Sequence, residues 1–207
     1  MFTDGSSSLK NRYGIPWPYQ SRSAYRHHDD SDLTDEWQLE VYLHALELMG
    51  RHQFSRILDI GCGSGYKLIH HLGEYETIEL ELEQNLPQFE KRCPHHRWEA
   101  CDLSIPLPRS TDLVICSDVI EHLVDPDQLI EYIMAIQFQL LILSTPDRSL
   151  LHRPWKRRYW GPPRNPCHQR EWTSRQFFEY ISGTFDVVER GTSNHEQSTQ
   201  MLVCKRR

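Results

Sequence analysis

Three glycines at alternate positions, Gly61, Gly63 and Gly65, stand directly behind the apolar run Arg56-Ile57-Leu58-Asp59-Ile60 and limit the possible folds more than any other feature. The residues after them, Leu68 to Leu72, suit a helix, so the stretch reads as strand, tight turn and helix. A chain that reverses there while its backbone touches a ligand needs residues without a Cβ. The dinucleotide fingerprint G-x-G-x-x-G would put its third glycine where Tyr66 stands. The G-x-G-x-G spacing therefore argues against a pyrophosphate ligand and a nicotinamide oxidoreductase. Asp59 at the strand end argues that the turn serves a ligand and is more than a bend.

Further strands follow at the intervals of an alternating β-α chain. Residues 77–82 read as a second strand with Glu81 near its end, about twenty residues past the glycine turn, where a carboxylate can accept the hydroxyls of a ribose. Residues 97–100 form a short third strand leading to Cys101-Asp102-Leu103. Asp102 reads two ways, as an acceptor for an adenine amino group or as the cap of a turn before Pro106. Residues 112–117 are a fourth strand, and Asp118-Val119-Ile120-Glu121-His122-Leu123 follow it. Pro126 at a first helical position opens a helix to about residue 137, and the apolar run 138–144 is a buried fifth strand. Thr173 and Gln176 have capping-box spacing for a last helix through Ile181, and 185–189 and 200–204 alternate as two terminal strands. Such alternation predicts a largely parallel sheet with helices on both faces.

The strand-D-x-G-x-G-x-G turn, the acidic second strand end, the Asp after strand three and the run D-L-V-I-C-S-D-V-I-E-H-L together resemble the class I S-adenosylmethionine-dependent methyltransferases, over roughly residues 54–145. The resemblance implies a Rossmann-like seven-stranded sheet, mostly parallel with a C-terminal antiparallel hairpin. It assigns the methionine part of the cofactor to the turn (Asp59, Gly61, Cys62, Gly63, Gly65), the ribose to Glu81, the adenine to Asp102 and Leu103, and further cofactor contact to Ser117. Relatives often carry Gly-x-Asp where this chain has Glu79-Leu80-Glu81, and the longer Glu81 should still reach the ribose. The segment Asn165-Pro166-Cys167-His168-Gln169-Arg170-Glu171-Trp172-Thr173 is similar to an N-P-x-H-x-R-E-[FYW]-[ST] motif of a branch associated with glycan and small-molecule biosynthesis. It implies a hydroxyl-bearing acceptor, with Asn165, Arg170 and Trp172 binding it. A hydroxyl needs a proton acceptor near neutral pH, and His168, then His122, are the candidate bases. The competing reading is a catalytically inactive S-adenosylmethionine-binding protein with a regulatory or assembly role.

Between Thr145 and Trp172 five prolines interrupt regular structure, and the stretch reads as an acceptor-binding lid over residues 145–172. Arg148, Arg153, Lys156, Arg157, Arg158, Arg164 and Arg170 make it basic, matched to an anionic group on the acceptor. The whole chain instead carries a net charge of -6, and no [DNS]-P-P-[YFW] turn follows strand four, so a nucleic acid acceptor is not expected. At 207 residues the chain suits one methyltransferase domain over residues 34–207, preceded by an arm or flap over residues 1–33 broken by Pro16 and Pro18. Thr34 caps a first helix with Asp35 and Glu36 in its first turn and an apolar stripe through Trp37, Val41 and Leu48. Tyr19, Tyr25 and Trp37 are candidates to cover the cofactor, Trp37 reading more readily as a core aromatic. Six scattered cysteines and the lack of a signal-like N-terminus or an apolar span fit a cytoplasmic protein with free thiols. The adjacent pairs His27-His28, His70-His71 and His95-His96 point their rings apart, and His27-His28-Asp29-Asp30 reads as a solvated loop, so no metal site is expected.

Overall fold

The computed structural model describes residues 12–24, 26, 37–106, 108–151 and 159–207. The strands are β1 (Arg56–Ile60), β2 (Glu76–Glu81), β3 (Trp98–Ala100), β4 (Arg109–Ser110), β5 (Leu113–Ser117), β6 (Ile136–Gln137), β7 (Leu140–Pro146), β8 (Phe185–Asn194) and β9 (Thr199–Arg206). The helices are α1 (Leu39–His52), α2 (Tyr66–Leu72), α3 (Leu86–Arg92), α4 (Pro126–Met134), α5 (Arg148–Leu151) and α6 (Ser174–Ile181). Seven strands form one sheet in the order β3-β2-β1-β5-β7-β9-β8. Pairing is parallel from β3 to β7, whereas β9 runs antiparallel to both β7 and β8. This is the Rossmann-like methyltransferase sheet with its C-terminal hairpin.

The order reverses between β1 and β5, because β1 hands the chain outward to β2 and β5 hands it the other way to β7. Such a switch point leaves a crevice beyond the carboxyl ends of the two strands. The sheet is buried on both faces, which is why its central strands are continuously apolar. Leu58, Val114, Leu141 and Leu143 meet Leu129 and Ile133 of α4 and Phe177 and Ile181 of α6 on one face. Ile57, Leu113, Ile115 and Ile142 meet Val41, Ala45 and Leu48 of α1 and Leu68 and Leu72 of α2 on the other. Each fully buried Val, Leu, Ile or Phe among them stabilises the fold by about 1.5–3 kcal/mol.

Caps set the helix limits. Asp125 accepts from the Asp127 N–H ahead of Pro126 to start α4, and the expected capping box of Thr173 and Gln176 starts α6. The α4 helix stops at Met134, earlier than expected, because Ile136–Gln137 pairs in parallel with Arg109–Ser110 as a separate two-stranded sheet. Strands β8 and β9 run longer than their alternation suggests, since register shifts at Val187/Glu189 and Thr192/Asn194 break the two-residue period. Gln38, in a left-handed conformation at φ 64°, stands at the N-cap of α1, and Thr34, Asp35 and Glu36 lie outside the described residues. Trp37 is 50% exposed, so its assignment to the core is corrected: it precedes the helix and faces the crevice. Tyr25, the His27-His28-Asp29-Asp30 cluster and Arg153 through Arg158 also lie outside the described residues. The described part of the arm docks on the 159–172 stretch: Gln20 N–H donates to Trp160 O, Arg22 N–H to Gln169 O, and Glu171 N–H to the Tyr19 hydroxyl. Among the described residues no helix is long and apolar enough to cross a membrane.

Candidate active site

A cavity of about 590 Å³ opens at the switch point and joins the glycine turn, the β2 end, the β5 end and the 159–172 stretch. The turn is shaped by close packing. Gly61, at φ 70°, would place a Cβ 2.5 Å from Val119 Cγ2, and Gly65, at φ 68°, would place one 2.5 Å from the Trp98 ring. Neither position admits a side chain without displacing a neighbour. Gly63 N–H donates to Glu81 Oε2 at 2.9 Å, while Glu81 Oε1 accepts from Leu82 N–H at 2.8 Å and from the Asn85 amide at 3.3 Å. The carboxylate that closes the turn also lines the cavity, where it is placed to accept from a ligand hydroxyl.

The structure divides the predicted cofactor set. Gly61, Cys62, Glu81, Leu103 and Ser117 line the cavity. Gly63 and Gly65 stand behind the wall and give the turn its shape. Asp59 is fully buried, its Oδ2 accepting from the Tyr42 hydroxyl at 2.9 Å, so it supports Tyr42, which does line the cavity. Asp102 is exposed and outside the wall, with Oδ1 accepting from both the N–H and the hydroxyl of Ser104. Its side chain caps a turn, and Cys101 and Leu103 beside it supply an apolar wall.

Beyond β5 the chain bends through Asp118 at φ 52°, and its carboxylate accepts from Ser144 Oγ at 2.7 Å. Glu121 is completely buried; Oε2 accepts from the Thr145 hydroxyl at 3.0 Å, and Oε1 has no hydrogen-bond partner. Burial, and then the negative charge of Asp118, holds the Glu121 carboxyl well above the usual carboxylate range. The Glu121 carbonyl accepts from the N–H groups of Gln169 and Arg170, which docks the motif segment against the β5 end. His168 and His122 therefore meet edge to face, their rings 5.0 Å apart, although 46 positions separate them in sequence. His168 Nδ1 lies 3.0 Å from Glu171 Oε1, and its Nε2 lies 2.9 Å from Asn165 Nδ2. Because Asn165 Oδ1 accepts from Cys167 N–H, the amide must present its nitrogen to His168. The neutral His168 ring thus donates from Nδ1 and carries its lone pair on Nε2.

Of the predicted acceptor residues, Asn165 and His168 line the cavity and two do not. Trp172 is a fully buried core residue, stacked on Tyr180 and donating from Nε1 to Tyr13 O. Arg170 donates to the carbonyls of Leu123 and Val124 and lies over the Tyr13 ring, so its guanidinium clamps the fold and does not face a substrate. Arg148 is likewise turned inward, to Glu171 O and Gln176. The basic wall expected of the lid reduces, among the described residues, to Arg164. The residues not singled out from sequence are Glu121, Glu171, Gln38 and Lys67. Spacing carried a signal for two of them: Glu121 adjoins His122, and Glu171 is three positions from His168.

Solved structures with the same fold include magnesium protoporphyrin IX methyltransferase from Synechocystis PCC 6803 with bound S-adenosylmethionine, at a TM-score of 0.61 and 15% identity, covering 86% of this chain and 82% of that one. The glycopeptide N-methyltransferase MtfA complexed with S-adenosylhomocysteine matches at a TM-score of 0.61 and 16% identity, covering 80% of this chain and 87% of that one. Among curated proteins, tRNA U34 carboxymethyltransferase from Aeromonas hydrophila subsp. hydrophila is 29% identical over 150 residues, which is 65% of this chain and 44% of the relative. The chain thus spans less than half the length of that relative. Residues 25–185 match the family profile described as methyltransferase domain, and the chain belongs to this S-adenosylmethionine-dependent methyltransferase family.

Proposed function

We propose that the chain transfers a methyl group from S-adenosylmethionine to a hydroxyl of a small molecule or glycan precursor, with residues 34–207 as the catalytic domain and 145–172 as the acceptor lid. The observation that carries this reading is the single cavity whose wall holds both Glu81 with the glycine turn and His168 with Glu171. Its volume of about 590 Å³ falls within the roughly 300–1,000 Å³ range of cofactor and ligand sites.

The residues present fit the donor. Glu81 offers acceptor lone pairs for ribose hydroxyls, Cys101 and Leu103 an apolar wall for a base, and Lys67 a cation near the turn for a carboxylate. When bound, the donor supplies an electrophilic methyl group on a sulfonium, so the protein's work is alignment and proton removal. His168 is the first candidate for the proton, through Nε2 once the Asn165 amide gives way to the acceptor. Glu171 on Nδ1 fixes the tautomer and stabilises the imidazolium that forms. His122 is the second candidate. Its Nδ1 donates to Cys167 O at 3.1 Å, which leaves the lone pair on Nε2.

The experiment is transfer from labelled S-adenosylmethionine to a panel of hydroxylated acceptors, with His168→Ala compared against the unchanged chain. Donor affinity is retained in the variant and turnover falls by roughly 10²–10⁴-fold. Turnover equal to that of the unchanged chain removes His168 from the mechanism. A second reading, an RNA acceptor, is favoured by the tRNA-modifying relative, and labelled transfer to tRNA in the same panel separates the two.

A further inference from the structure

The acceptor end of the cavity gathers three potential ligand atoms from two distant stretches of chain. One atom each from Glu121, His122 and His168 lies within 4.8 Å of the other two. Both imidazoles are held from behind through Nδ1, His168 by the Glu171 carboxylate at 3.0 Å and His122 by the Cys167 carbonyl at 3.1 Å. Each neutral ring then carries its lone pair on Nε2, where His168 now accepts from the Asn165 amide at 2.9 Å, and second partners of this kind orient metal-bound histidines. Glu121 supplies an independent observation: its side chain is fully buried, and Oε1, with no hydrogen-bond donor, lies 4.0 Å from His122 Nε2. A buried carboxyl oxygen facing an imidazole lone pair is an unfavourable pairing unless a proton or a metal cation stands between them.

We propose that Glu121, His122 and His168 bind a divalent first-row transition cation. Two imidazoles and one carboxylate suit Zn²⁺ or Mn²⁺ better than Mg²⁺ or Ca²⁺, which prefer all-oxygen sets. Bonds of about 2.1 Å bring ligand atoms to roughly 3–3.5 Å of one another, so the three close by about an ångström around the ion. His168 Nε2 then exchanges the Asn165 amide for the metal. The remaining coordination positions face the cavity, open to an oxygen of the acceptor. For its chemical role the inference rests on the hydroxyl-acceptor reading, and it changes one part of it. The cation lowers the pKa of a bound hydroxyl, whose proton leaves to solvent, and His168 holds the ion in place of taking the proton.

The test uses the full chain, freed of metal with a chelator and then dialysed. Calorimetric titration with Zn²⁺ and Mn²⁺, and Co²⁺ titration followed by visible absorption, should show one site per chain with ligand-field bands. Mg²⁺ should compete weakly. His168→Gln and Glu121→Gln, made separately and checked for folding by circular dichroism, each weaken binding at least tenfold, and Glu171→Gln weakens it about tenfold through the second partner. Cation affinity and Co²⁺ bands that are unchanged in all three variants would place the ion on other histidines and overturn the proposal, as would no binding to the unchanged chain. S-adenosylhomocysteine binding is measured on the same samples. Cation silence with product binding intact sinks this inference alone, and the reverse sinks the methyl-transfer reading alone.

Discussion

Replacing Asp59 by Asn should flatten the dependence of stability on pH, because this carboxyl is among the most strongly perturbed groups beneath the site. It is fully buried on β1, and burial pushes its pKa from 3.8 up to about 7, against the hydrogen bond donated by Tyr42; Glu79, its registered neighbour on β2, raises it further, Lys67 opposes, and Glu81 adds a smaller push upward. A shift of this size corresponds to about 4 kcal/mol between the two protonation states. The sign follows from proton counting. The folded state holds the proton to higher pH than the unfolded chain, so the stability this group contributes is complete below about pH 4 and is lost as pH rises through about 7. Roughly 2–3 kcal/mol of that loss falls between pH 5 and pH 8. The amide introduced by Asp59→Asn keeps an acceptor for Tyr42 and cannot ionise. Urea unfolding at pH 5, 6, 7 and 8, followed by circular dichroism, should therefore show the variant gaining about 2–3 kcal/mol on the unchanged chain across the range. Parallel curves for the two proteins would refute the reasoning and mean that Asp59 is ionised throughout.

Gly61→Ala combines a left-handed backbone with a Cβ 2.5 Å from Val119 Cγ2, and should destabilise by about 2–4 kcal/mol in thermal or urea unfolding. Adding Val119→Ala should recover only the steric part, since the backbone strain stays. Glu81→Gln replaces one of the two oxygens that accept from Gly63 and Leu82 with a donor, and calorimetry with S-adenosylhomocysteine should show affinity lowered more than about tenfold. Trp172→Ala should cost about 3–5 kcal/mol of stability while the folded fraction binds S-adenosylhomocysteine with unchanged affinity, because this ring is core and not wall.

The glycine-turn part of the cavity was legible because its geometry is local. A strand, three glycines and a helix within one stretch encode their own turn, and the acid of β2 lies one crossover away, so spacing alone pointed to Gly61 and Glu81, which line the cavity. The hairpin limits were less legible, because two register shifts in β8 erase the period on which strand reading depends. The acceptor half was only partly legible for another reason. Arg170 and Trp172 sit in a motif that looks like a binding segment, yet whether a side chain faces a cavity or the core depends on how the segment docks. Docking is set by long-range partners, here the Leu123 and Val124 carbonyls and the Tyr13 carbonyl. No periodicity in residues 145–172 reports those contacts. Asp102 fits the same account, since its own neighbour Ser104 satisfies it and the residues on either side form the cavity wall.

Glu121 explains why the two halves form one site. Its carbonyl accepts the N–H groups of Gln169 and Arg170, while its carboxylate, joined to Thr145 at the end of β7, faces the cavity beside both histidines. One residue therefore fixes the position of His168 through the backbone and the electrostatics around it through the side chain. A substitution that keeps the backbone, Glu121→Gln, should leave the docked segment in place and remove only the ionisable group, whereas insertion of a residue between Glu121 and His122 should release the segment. The consequence is that the position of the 159–172 segment is coupled to the bend after β5, where Asp118 takes a left-handed conformation.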